Sequence, residues 1–90
     1  MNFKELNKRL DILQDVFAYT LLNGGLNVGQ RICLSQERAA ILVCIETLNY
    51  DLTERITPSY QLPDHLENKV QVILKKIEET DWVKPEYEKF

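Results

Sequence analysis

Ala39-Ala40-Ile41-Leu42-Val43-Cys44-Ile45 is the stretch on which the reading of this chain turns. Seven apolar residues in succession leave no polar face, so on sequence grounds the segment is buried on all sides. Taken alone, so apolar and β-branched a run also suits a buried strand. Its surroundings decide for a helix. Ile41, Ile45, Leu48, Leu52 and Ile56 carry a helical period well past the run, and Asp51 with Arg55 adds an opposite-charge pair one turn apart. Ser35 precedes the run as an N-cap, with Glu37 in the first turn where the helix dipole favours an acid. The spacing predicts a helix over residues 36–56, central in its first half and nearer the surface after Glu46.

Upstream, Asn2 with Glu5 three residues on makes a start like a capping box. Phe3, Leu6, Leu10, Leu13 and Phe17 then form an apolar seam that Val16 and Leu21 widen, which predicts a helix over residues 2–22. Glu5 and Arg9 sit in the favourable order on its wet face. Asn23-Gly24-Gly25 ends it, because glycine takes the left-handed conformation that closes a helix. Leu26, Val28, Ile32 and Leu34 have the even spacing of an extended piece, but Gly29 interrupts it and no second strand offers a partner. A packed loop or a single helical turn is expected there.

Downstream, Thr57-Pro58-Ser59-Tyr60-Gln61-Leu62-Pro63 is a loop by composition. Asp64 caps a third helix over residues 64–80, with Glu67 completing a second pattern like a capping box. Leu66, Val70, Ile73 and Ile77 form its seam, and Lys69, Lys75, Lys76, Glu78 and Glu79 its polar face. Residues 81–90 form a tail with three aromatics, Trp82, Tyr87 and Phe90, and Pro85 bars a simple continuation of the helix.

These elements predict an all-α fold: one domain over residues 1–90, a small three-helix antiparallel bundle with helix two central and a short aromatic-containing C-terminal extension. At 10.6 kDa the chain lies near the lower limit for independent folding, where disulfides, a metal or oligomerisation usually add stability. The seams of helices one and three exceed what one central helix covers, so a homodimer or a stable complex is expected.

Composition narrows the function classes. Hydrophobic residues at 44% and charged residues at 28% are those of a folded globular protein. The net charge of −3 is uneven: residues 1–45 carry five Lys/Arg against four Asp/Glu, and residues 46–90 six against ten. Neither half is basic enough to track a phosphate backbone, which disfavours direct nucleic-acid binding. A DNA-binding regulator is the alternative, but the twice-prolined link and mixed third helix make a poor helix-turn-helix. No apolar run approaches the roughly 18 residues of a membrane span. The N-terminus runs straight into a charged helix, so no secretory leader is expected and the reading is a cytoplasmic protein.

Catalytic and metal-binding patterns are weak. His65 is the single histidine, and Cys33 and Cys44 lack zinc spacing, so neither a metal nor any cofactor is expected. The cysteines read as small hydrophobes. The carboxylate pairs Glu78–Glu79 and Asp11–Asp15 read as solvated faces, and no catalytic residue is assigned. Gly24-Gly25-Leu26-Asn27-Val28-Gly29-Gln30-Arg31 invites comparison with a phosphate cradle but lacks the Lys-Ser/Thr that follows in a P-loop. Gly29, Arg31 and Arg38 are kept as a small-ligand or nucleotide alternative, that of an oligomeric sponge.

The main expectation is therefore a non-enzymatic protein-interaction module, an inhibitor, immunity or regulatory protein of phage or mobile-element type. Its contact residues are sought among the aromatics Trp82, Tyr87, Phe90 and Tyr60, with Tyr50 on the less apolar side of helix two a further candidate, since Trp and Tyr dominate interface hot spots. The acidic end, with Glu78, Glu79, Asp81, Glu86 and Glu88, would compete for a basic groove on a partner.

Overall fold

The computed structural model describes residues 1–82 and folds them into α1 (Phe3–Asn23), α2 (Val28–Asp51) and α3 (Asp64–Glu79), with no strand among the described residues. The all-α fold read from the apolar spacing is what forms. Consecutive helices run antiparallel, so α1 and α3 share a direction. Along α1, Arg9 meets Glu67 and Tyr19 meets Trp82, so these numbers rise together, whereas Arg9 meets Glu37 and Thr20 meets Arg31, so those of α2 fall.

α1 begins as its sequence predicts: the Asn2 side chain accepts from the Glu5 amide at 2.9 Å. It ends at Gly24, whose φ of 73° closes the last turn by donating its N–H to the Thr20 carbonyl at 2.9 Å. α2 departs from the expected bounds at both ends. It starts at Val28 rather than residue 36, because Asn27 and Gln30 form a reciprocal capping box, with bonds of 2.8 and 2.9 Å. The expected loop at Leu26–Leu34 is therefore mostly helix, and Ser35 is an exposed interior residue rather than a cap. The helix stops at Asp51, short of the expected residue 56, where Leu52 turns left-handed at φ 55°. α3 begins at Asp64 but receives no side-chain cap; the Pro63 carbonyl accepts from Leu66 and Glu67 instead.

The core is a three-way junction. Leu6, Leu13 and Val16 of α1 meet Leu34, Ile41, Cys44 and Leu48 of α2 and Leu66, Val70 and Ile73 of α3. Each fully buried leucine contributes about 1.5–3 kcal/mol relative to exposure. The central helix is α1, not α2: it packs along both neighbours, while α2 and α3 share little contact. For the same reason the run at 39–45 is not buried all round. Ala40, Ile41 and Cys44 face inward, but Ala39, Leu42 and Val43 lie on the exposed side, Val43 at 61%. A peripheral helix has one buried face only, and this one presents its surplus apolar residues to solvent.

Two polar devices tie the elements together. At the junction, the Arg9 Nε and Nη2 donate to Glu37 at 2.9 and 3.0 Å, Nη1 donates to Glu67 at 3.0 Å, and Nη2 also donates to Glu67. This displaces the expected Glu5–Arg9 surface pair and removes Glu67 from any capping role. The 52–63 link crosses the base of the bundle with Pro58 buried in it. Ile56 exchanges two backbone bonds with Met1 there, at 2.9 and 3.0 Å.

Candidate interaction surface

Twenty-four residues of α2 give it two faces, and both carry apolar side chains. Leu34, Ala40, Ile41, Cys44 and Leu48 point into the core. On the opposite side Ile32, Gln36, Ala39, Val43, Glu46 and Tyr50 follow one another at alternating spacings of four and three, all exposed. Ile32 is 53% and Tyr50 79% exposed, and Leu42 flanks the row at 41%. Alternating spacing of this kind is that of a helix-packing seam. Contiguous exposed apolar surface marks interaction sites in soluble proteins.

Grooves border this row. On the α1 side a cleft of about 470 Å³ is lined by Phe17, Ala18 and Leu21 of α1 with Arg31, Ser35 and Arg38 of α2. Arg31 is held there: Nη1 donates to Thr20 Oγ1 at 2.8 Å, and its guanidinium lies 5.0 Å from the centre of the Phe17 ring. Thr20 is buried and in turn donates to the Val16 carbonyl at 2.7 Å, which fixes the acceptor that Arg31 uses. On the other side Gln36, Ala39 and Val43 form a shallow groove with Ser59 and Tyr60 of the link. Tyr60 reaches Cys33, and this contact raises the phenol above its ordinary value.

The residues singled out in the sequence fall in separate places. Tyr60 stands on the rim of the outer α2 face. Trp82 is half-buried and meets Tyr19 edge-on, with ring centres 5.6 Å apart and planes at 84°, closing the end of the α1–α3 interface. Glu78, Glu79 and Asp81 are exposed together at the end of α3. Tyr87, Phe90, Glu86 and Glu88 lie outside the described residues. Arg31 and Arg38 share one cleft, but Gly29 is an exposed residue of the first turn of α2 and does not line it. Gly29 takes helical backbone in the first turn of α2, so the segment is the start of a helix rather than a loop.

Among titratable groups, the junction is the strongly organised cluster of the described residues. Burial pulls the Arg9 guanidinium down, but its bonds to Glu37 and Glu67 outweigh that and hold it above its ordinary value. Burial likewise pushes the Glu67 carboxyl up, while bonds from Arg9 and Gln71 prevail and hold it below its ordinary value. The described residues hold no group of three His, Cys, Asp or Glu that could bind a metal, and no helix among them is long and apolar enough to cross a membrane.

Of the outer face of α2 the sequence reading singled out Tyr50 alone, although the signal for the rest was present. A run of seven apolar residues exceeds what one buried face requires, and the surplus recurs at Ile32 and Tyr50. Compared with known proteins, the chain matches no family model, no curated protein and no solved structure.

Proposed function

We propose that this chain is a non-catalytic protein-interaction module, a small regulatory or inhibitory protein that acts by occupying the surface of another polypeptide through the outer face of α2. The observation that carries this reading is the exposed seam of Ile32, Ala39, Val43 and Tyr50, flanked by Leu42 and rimmed by Tyr60. Helices recognise one another through apolar rows at this spacing, with polar rims fixing direction. The non-catalytic part rests on the carboxylates of the junction, both engaged by Arg9, which leaves neither as a free base.

The test is a photo-reactive benzoylphenylalanine placed at Val43, irradiated in cells of the natural host and followed by mass spectrometry of the adducts. A discrete protein adduct, lost when Ile32 is also changed to Glu, is expected. Unattached protein throughout would overturn the reading.

A second reading draws on Arg31. Its guanidinium is oriented by Thr20 and Phe17, and Arg38 lines the same cleft. That arrangement suits an anion with an apolar body. A rise in melting temperature with such a ligand, absent in Arg31→Ala, is its signature.

A further inference from the structure

We infer that the outer face of α2 pairs antiparallel with the same face of a second copy of this chain, Ile32 against the second copy's Tyr50 and Ala39 against its Val43. The inference rests on the interaction-module reading and assigns its occupant.

The first argument is the pattern itself. Reversed about the midpoint between Ala39 and Val43, the exposed row maps onto itself: Ile32 exchanges with Tyr50, Gln36 with Glu46, and Ala39 with Val43. An isologous contact demands this self-complementarity. The large Tyr50 ring then lies over the branched Ile32, and the small Ala39 makes room for Val43. Leu42, beside the two-fold axis, meets its own counterpart. Gln36 falls opposite Glu46, where its amide donates to the carboxylate.

Charge chooses the direction. The first half of α2 carries Arg31 and Arg38, and its lone acid, Glu37, is turned inward onto Arg9. The second half carries Glu46 and Asp51 and no base. A parallel pair would align like with like, whereas the antiparallel pair sets each basic half against an acidic one. Helix dipoles favour the same arrangement.

The size is that of a modest interface. Ile32 to Tyr50 spans about 27 Å at 1.5 Å per residue. A contact one such helix face long lies at the lower end of specific interfaces, where weak, reversible association is found. A domain of 10.6 kDa gains stability from such pairing, and Ser59 and Tyr60 border the seam where they extend the contact.

Sedimentation velocity of the full chain at about 1 µM and at roughly 100 µM tests the pairing, given the weak association expected for an interface of this size. The expected result is a shift from 10.6 kDa to twice that mass. Val43→Glu is expected to weaken association at least tenfold while leaving helical circular dichroism unchanged, because the side chain is exposed. The register is tested at a second exposed site. Gln36→Lys faces Glu46 in the antiparallel pair and tightens it; Gln36→Glu loosens it, and adding Glu46→Lys restores it. A parallel pair would set the new lysine of Gln36→Lys against its own copy and loosen instead, which overturns the geometry. A monomer at every concentration overturns self-pairing altogether. If the Val43 photo-adduct is then a different protein, the interaction reading stands without it; if no adduct forms, both fall.

Discussion

Arg9 of α1 grips Glu37 of α2 in a two-bond fork, Nε to Oε1 at 2.9 Å and Nη2 to Oε2 at 3.0 Å, and the same guanidinium reaches Glu67 of α3. One side chain of the central helix thus bonds both of its neighbours. The Glu37 side chain is 9% exposed and draws its compensating charge from Arg9. Arg9→Met is therefore expected to cost about 3 kcal/mol, since a buried carboxylate is left uncompensated. Urea unfolding measures it. Combining Arg9→Met with Glu37→Leu and Glu67→Gln is expected to recover most of the loss, because apolar replacement of a whole buried ionic cluster is often near neutral.

The junction also sets a pH dependence. The Glu67 carboxyl is held below its ordinary value of 4.5, so its contribution is present above that pH. It is lost as pH falls through the folded-state value, where the unfolded chain already binds the proton. Arg9, held above its ordinary value, titrates far above this range. Stability measured from pH 6 down to about 3 is expected to fall less steeply in Glu67→Gln than in the wild type. Equal slopes would remove Glu67 from the account.

The start of α2 can be tested by two single substitutions. Asn27→Ala removes the capping box and is expected to cost about 1 kcal/mol. Ser35→Ala changes an exposed helix-interior residue, where Ala has the better propensity, and is expected to be neutral or slightly stabilising. Urea midpoints of the two variants separate the boundaries, and the reverse order would place the cap at Ser35.

Leu52 closes α2 in the left-handed region at φ 55°, and 85% of it is exposed. A residue with a Cβ carries backbone strain there that glycine does not. Leu52→Gly is expected to raise stability by about 1 kcal/mol, the scale of that strain, since little apolar burial is lost. Thermal unfolding provides the measurement.

The three helices were legible because each repeats its apolar residues at helical spacing; Leu66, Val70 and Ile73 of α3 are all buried as their seam implies. The cap at Asn2 was equally plain. What could not be read was which helix is central. Hydrophobicity pointed to α2, its most apolar run, whereas position in the bundle depends on which helix has two separate faces to bury, and α1 has them. From that one inversion follow the exposed outer face and the missed candidate surface. The early start of α2 was obscured by Gly29, a residue that weakens a helix but that the Asn27–Gln30 box carries. The Arg9 cluster joins residues 28 and 58 positions apart, a relationship no local pattern encodes.

Because α2 and α3 each lean on α1 and hardly on one another, the molecule is divided for folding as well as for packing. α1 and α2 are joined by the short 24–27 turn and form a hairpin of local contacts, whereas α3 arrives across the longer 52–63 link. The Arg9–Glu37 fork does not depend on α3, so α3 is expected to open ahead of the hairpin as a sub-global unit. Its amides are expected to exchange with deuterium ahead of those around Leu13 and Ile41. The single tryptophan, seated on Tyr19 beyond the end of α3, is a built-in optical reporter of that event. In stopped-flow refolding its fluorescence is expected to report the docking of α3, and a lag behind far-ultraviolet dichroism would show that the hairpin forms first.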